Sequence, residues 1–138
     1  MDVEHLRDLP LFRDLSNREL ERLARWTDEI DVPAGRHLMQ QDAFAHEFMV
    51  IVSGTAEVTH DGDHLADLGP GEFFGEIALM EQHRRSATVT ATSDLRIVVM
   101  HEREFRAKED DLPDVARRIR EVMEERRREH FEKTGEEA

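Results

Sequence analysis

No cysteine occurs anywhere in the chain, which excludes disulfide frameworks, thiolate metal sites and cysteine nucleophiles. Lysine is nearly absent too, with Lys108 and Lys133 set against seventeen arginines. No apolar run approaches the roughly 20 residues that cross a bilayer, and the opening MDVEHLRDLPLF lacks the basic start and apolar middle of an export signal. A soluble, cytoplasmic chain with no membrane partner is therefore expected. Positive charge is in deficit: 32 Asp and Glu outweigh 19 Lys and Arg, for a net charge of -13 at pH 7. The excess lies ahead of residue 114, because the segment 114–138 carries seven basic and eight acidic residues. Such a surface repels a phosphate backbone, so a nucleic-acid partner is not expected. The acid-rich, lysine-poor balance suits either a high-salt habitat or a biased genome composition. No G-x-S-x-G motif is present and the carboxylates show no paired-metal pattern. No catalytic residue is assigned, and the chain is not expected to be an enzyme.

What is present fits one domain, since 138 residues can bury a single core and are too few for two domains of ordinary size. Ser16 stands three residues before Glu19, a capping box, and Leu15, Leu20 and Leu23 follow at helical spacing. The pattern predicts a helix from Asn17 to Trp26, with Trp26 as a packing residue. Pro33, Ala34 and Gly35 then break the chain. From there to Met100 the stretches HLMQ, EFMVIVSG, TAEVTH, HLADLG, SATVTATS and LRIVVMH are rich in Val, Ile and Thr. Turn signals at Ser53-Gly54, Asp61-Gly62 and Gly69-Pro70-Gly71 separate them. One β-roll or barrel of about seven or eight strands is expected.

Beyond Met100 the period lengthens to that of helices, with a break at Leu112-Pro113 and a long helix from near Asp114. Its apolar positions, Val115, Ile119, Val122 and Met123, form a strip shorter than a coiled coil needs, so a homodimer and a monomer are both compatible. The Arg126-Arg127-Arg128 run has glutamates one turn away and reads as a solvated face. His60, Asp61, Asp63 and His64 in HDGDH read as a polar hairpin tip, and no metal ligands are assigned.

The stretch FFGEIALMEQHRRSATVTA carries the chemistry. Gly75 permits close backbone approach, Glu76 to Met80 can form one helical turn, and Ala78 is too small to obstruct a ligand at that turn's start. Arg85 can grip two phosphate oxygens at once, and the Ser86 hydroxyl can add a donor, whereas Arg84 reads as a solvated neighbour. A carboxylate such as Glu76 beside an anion is unfavourable unless the ligand also presents hydroxyls, as a ribose does. There is no P-loop and no lysine in the stretch, so the charges of a nucleoside triphosphate would go unmatched. One arginine suits the single charge of a cyclic phosphodiester.

The segment FGEIALMEQHRRSATV resembles the phosphate-binding cassette of the cyclic nucleotide-binding domain family, found in the catabolite activator protein, protein kinase A regulatory subunits and cyclic nucleotide-gated channels. LPLFRDLSNRELERLA, VPAGRHL, FMVIVSGTAEV, LGPGEFFGE and EFRAKEDDLPDVARRI are similar to the family's other elements in order. The resemblance implies a mainly β fold with flanking helices: a double-stranded β-helix, or jelly-roll-like β-roll, with an N-terminal helix and C-terminal helices. The single domain would take in residues 1–133, with a helical part to about 28, the roll to about 101 and helices to about 133. Residues 134–138 would be a frayed tail.

Carried over by residue, the resemblance implies that Glu76 takes the ribose 2′-hydroxyl and Arg85 the exocyclic phosphate oxygens. Gly75, Ile77 and Ala78 would contribute mainly backbone contacts, Ser86 and Ala87 would complete the cradle, and Leu65, Leu68 and Phe74 would line or support its wall. Asp42 stands near a place where the family often has glycine, and Met123, Arg126 and Arg127 are the candidates to cap the base. The implied ligand is cyclic AMP, with cyclic GMP as the alternative, and no other cofactor is expected. A ligand-driven movement of the helix from Asp114 would signal to an unknown protein effector, either a separate partner or a removed domain. The competing expectation is an interaction module that keeps the barrel and binds no nucleotide.

Overall fold

The computed structural model describes residues 3–13, 15–41, 47–74 and 87–101, and positions 103, 113, 116–117, 120–121, 124–125 and 128. The chain opens with a short helix α1 (Val3–Arg7), a 3-10 turn (Pro10–Phe12) and helix α2 (Asn17–Trp26). The capping box expected from the sequence is formed: Glu19 N donates to Ser16 Oγ at 3.2 Å and Ser16 N donates to Glu19 Oε1 at 2.9 Å. These bonds satisfy two backbone donors that a helix start leaves exposed. α2 buries Leu20 and Leu23, and Trp26 packs beside them half-buried. α1 and the 3-10 turn are too short to show a period in the sequence, and the burial of Leu6, Leu9 and Phe12 holds them in place.

Among the described residues eight strands follow: β1 (Thr27–Val32), β2 (His37–Met39), β3 (Glu47–Ser53), β4 (Ala56–His60), β5 (Asp63–Leu68), β6 (Phe73–Phe74), β7 (Thr88–Ala91) and β8 (Leu95–His101). They form two four-stranded sheets with orders β1-β8-β3-β6 and β2-β7-β4-β5, antiparallel at every pairing. This is the expected β-roll. β1 and the two-residue β6 are strands that sequence reading missed, β1 because Asp28, Glu29 and Asp31 disguise it as a polar link. β1 lies at the outer margin of the first sheet, where one side of the strand can face water.

The first sheet is covered on both faces, which explains why its central strands read as continuous apolar runs instead of alternating ones. Phe48, Val50, Val98 and Met100 face the helices and pack with Leu6, Leu9, Phe12, Leu20 and Leu23. Met49, Ile51, Ile97 and Val99 face the second sheet and pack with Ala56, Leu68, Phe74, Val89 and Ala91. The pairing Met49↔Val99 and Val50↔Val98 keeps like faces together. Ala116 is buried in the helix-side cluster, so the C-terminal helical segment meets the same layer. Arg117, Arg120, Glu121, Glu124, Glu125 and Arg128 are helical and exposed, which is a solvent face at i, i+3, i+4 spacing. The apolar strip read from the sequence, Val115, Ile119, Val122 and Met123, lies outside the described residues.

Two features of this frame make stability measurable. Glu29 accepts a 2.9 Å bond from Arg96 on β8 and lies 2.7 Å from His5 Nδ1 on α1, while Arg96 also reaches Asp31 at 3.2 Å. The Arg96 hydrogen bond holds the Glu29 carboxyl below its ordinary value, aided by His5 and opposed by partial burial. A lowered carboxylate stabilises the fold above its unfolded value near 4.5 and loses that contribution as pH falls through the folded value. Urea unfolding should therefore show Glu29→Gln about 1 kcal/mol less stable than wild type at pH 7, with the gap closing in acid. The second feature is Gly54, at φ +94°, where a Cβ would lie 2.3 Å from the Asp94 carbonyl oxygen. That carbonyl cannot retreat freely, because the Asp94 side chain accepts the Ala34 N–H at 3.0 Å. Gly54→Ala should cost more than about 2 kcal/mol in the same assay, and a neutral result would refute the close contact.

Candidate functional site

The turn before β6 is tied to the first sheet from both sides. Gly71 N donates to Ile51 O at 2.8 Å, Ile51 N donates to Glu72 O at 2.9 Å, and Glu72 Oε1 accepts the Gly69 N–H at 3.0 Å. Gly71 has φ +87°, and a Cβ there would come within 3.0 Å of the Pro10 ring, so the turn is seated on the 3-10 segment. These contacts fix Phe73 and Phe74, whose side chains go to opposite faces as strand geometry requires. Phe73 packs on Phe48, ring centroids 5.3 Å apart, in the helix-side cluster. Phe74 enters the cluster between the sheets.

Residues 75–86 then join β6, at the margin of the first sheet, to β7, an inner strand of the second. The chain is described again at Ala87, which is buried, and β7 alternates from Thr88 outward to Val89 and Ala91 inward. Gln41, just after β2, fastens this point. Its backbone N–H donates to Thr88 Oγ1 at 3.0 Å. Its side-chain amide makes paired bonds of 2.7 and 2.8 Å with Asp61 at the β4–β5 turn.

Of the residues singled out from the sequence, Phe74 and Ala87 are thus placed inside the roll, at the two ends of the cassette. Leu68 joins the inter-sheet cluster with Phe74, and Leu65 is partly buried. Gly75, Glu76, Ile77, Ala78, Arg85 and Ser86, with Met123, Arg126, Arg127 and Asp42, lie outside the described residues. One residue of the HDGDH tip behaves differently from its reading as a solvated turn: His60 is only 8% exposed and belongs to the interior. The alternation of Ala56, Val58 and His60 along β4 is the sequence signal for this. His64 departs in another way. Its Nδ1 lies 2.8 Å from Glu57 and its Nε2 3.7 Å from Asp67, on the exposed side of the hairpin. Among the described residues this trio is the cluster whose spacing suits a cation, and its imidazole is already engaged with both carboxylates.

Residues 29–109 match the model of the cyclic nucleotide-binding domain. The chain belongs to the cyclic nucleotide-binding domain family. It is 33% identical over 119 residues to a cyclic nucleotide-gated potassium channel of Rhizobium etli, covering 86% of this chain and 33% of the channel. It is 38% identical over 109 residues to a cAMP-dependent protein kinase regulatory subunit of Mycosarcoma maydis, covering 72% of this chain and 21% of that one. Among solved structures, the Thermus thermophilus catabolite activator protein superposes with a TM-score of 0.78 at 29% identity, covering 90% of this chain and 61% of that one. The domain thus spans about a third or less of the length of these channel and kinase-subunit relatives. No described helix is long and apolar enough to cross a membrane.

Proposed function

We propose that this cyclic nucleotide-binding domain holds one 3′,5′-cyclic nucleotide, cyclic AMP in preference to cyclic GMP, on the cassette 75–86, and that occupancy biases its C-terminal helix. Glu76 accepts a hydrogen bond from the ribose 2′-hydroxyl, and Arg85 pairs bidentately with the exocyclic phosphate oxygens. Ser86 and the backbone at Gly75, Ile77, Ala78 and Ala87 complete the cradle, with Leu68 and Phe74 behind it. Met123, Arg126 or Arg127 covers the base. The observation that carries the reading is the anchoring of the cassette at buried Phe74 and Ala87, between a marginal strand of one sheet and an inner strand of the other. A ligand there draws on both sheets. The preference for cyclic AMP leans on the kinase-subunit and activator relatives.

The route to an output runs through Phe73. It sits two residues ahead of the cassette and packs in the cluster that also buries Ala116. A cassette drawn toward its ligand pulls on β6, and Phe73 carries that displacement into the layer on which the C-terminal helix rests. The ligand shifts the helix only by as much as it binds one arrangement more tightly than the other. The helix then exposes or hides a surface for a protein effector, attached or separate.

Calorimetric titration of protein freed of carried-over nucleotide should show saturable binding of cyclic AMP, weaker binding of cyclic GMP and far weaker binding of linear AMP. Arg85→Leu should fold normally and lose on the order of 2–5 kcal/mol of binding energy. Indifference to that substitution, or no binding of either cyclic nucleotide, would turn the assignment to a ligand-free interaction module. Hydrogen exchange should show the ligand altering protection across residues 114–131 in wild type, and a smaller change there in Phe73→Leu at equal saturation. Protection confined to the cassette would remove the helix from the mechanism.

A further inference from the structure

Arg18, Arg22 and Arg25 recur along α2 at i, i+4 and i+7, which sets them in one narrow stripe of the helix. Leu20 and Leu23, which α2 buries against the first sheet, lie on the opposite side, so the stripe runs along the solvent face. Arg18 and Arg25 are exposed and Arg22 is partly so. The chain has 32 acidic residues for 19 basic ones, and several guanidinium groups find carboxylates. Arg7 pairs with Glu4, Arg96 with Glu29 and Asp31, and Arg117 with Glu121. The stripe on α2 is different: none of its guanidinium groups forms an ion pair or hydrogen bond with a described residue.

The glutamates of the same helix leave the stripe uncompensated. Glu19, three residues before Arg22, is turned back to the helix start, where it accepts the Ser16 N–H at 2.9 Å. Glu21 is exposed and is paired with neither Arg18 nor Arg25. Arg25, in the last turn, suits the helix dipole, whereas Arg18 stands in the first turn, where a cation is disfavoured. The scaffold beneath is firm, with the capping box fixing the start of α2 and fully buried Leu20 and Leu23 holding its inner side. Three cations on a rigid face, unpaired within a strongly acidic chain, are arranged for a ligand from outside.

We infer that this stripe is a docking surface for an acidic α-helix of a partner protein, whose carboxylates at the same spacing pair with Arg18, Arg22 and Arg25. Guanidinium groups pair with carboxylates bidentately, so the contact carries direction as well as charge. The steps along the stripe are about 6 and 4.5 Å, which a facing helix reproduces. An extended strand turns a side chain to one face only every 6.6 Å or so and is out of step by the third residue. Width favours the same occupant, because a helix is about 10–12 Å across and covers the stripe alone. A bilayer or nucleic-acid surface is broader and would bring its phosphates against Glu21, beside the stripe, and Asp28, just past the end of α2, both exposed. Docking here requires no nucleotide.

The test is fluorescence anisotropy of a labelled helical peptide, about 15 residues long with glutamates at i, i+4 and i+7, titrated with the nucleotide-free chain. Saturable binding that weakens with added salt is expected, and a peptide with glutamines at those positions should bind roughly tenfold more weakly or worse. The combined variant Arg18→Gln, Arg22→Gln, Arg25→Gln should lose a similar factor while its melting temperature stays near that of wild type, since the replaced groups are at the surface. Arg22→Gln alone should lose a smaller part. Absence of binding, equal binding of the two peptides, or equal binding by wild type and the combined variant would overturn the docking surface. Two further results would replace the acidic helix by another occupant and so overturn it. One is co-sedimentation of wild type, but not of the combined variant, with phosphatidylserine vesicles, which would assign the stripe to a lipid surface. The other is self-association in analytical ultracentrifugation that the combined variant abolishes, which would assign it to a second copy.

Discussion

The organisation of this domain depends on a sheet that is buried on both of its faces. In β3 and β8, successive residues serve two different layers: Phe48, Val50, Val98 and Met100 belong to the helices, and Met49, Ile51, Ile97 and Val99 to the opposing sheet. Interiors packed at crystal-like density transmit displacement poorly through voids and well through contact. A strand whose alternate side chains are keyed into two cores cannot slide in one without disturbing the other. Antiparallel sheets more often leave one face to water, so the double coverage explains the long apolar runs in what is otherwise a strongly charged chain.

β6 is the shortest expression of the same principle. Two residues, Phe73 and Phe74, divide between the helix layer and the interior of the roll, immediately before the cassette. The segment that follows β6 is therefore attached to the helical layer by a single aromatic step, through Phe73. The turn that delivers this pair is over-determined, with backbone bonds to Ile51, the Glu72 side chain folded back on Gly69, and the Pro10 ring beneath Gly71. A short, stiff element of this kind suits the coupling proposed above, in a domain similar to parts of proteins as different as a gated channel and a kinase regulatory subunit.

Much of the fold was legible where local chemistry and long-range packing agree. Ser16 and Glu19 announced α2, Asp61-Gly62 announced a hairpin, and the Val- and Ile-rich runs announced β3 and β8. β1 was not legible, since its acidic residues are set by where the strand lies in the sheet and not by strand propensity. α1 and β6 were too short to carry a period, and tertiary contact alone defines them. At the site the division is similar. The residue types of the cassette, an acid, an arginine and a serine around small side chains, suggest a chemistry by their spacing, and they lie outside the described residues. His60 reads as part of a polar hairpin tip because the Asp61-Gly62 turn follows it, although its alternation with Ala56 and Val58 along β4 marks it as interior.

The charge carried by the outermost strands has a further consequence. β1 borders the first sheet and β5 the second, and between them they display Asp28, Asp31, Asp63 and Asp67. Ile30 on β1 is the one large apolar side chain exposed among the described residues, and it is enclosed by Glu29 and Asp31. An unguarded border of this kind would recruit a neighbouring molecule by strand addition, and repulsion between like-charged borders opposes that. Like charge on the two borders thus works against edge-to-edge pairing of one roll with another.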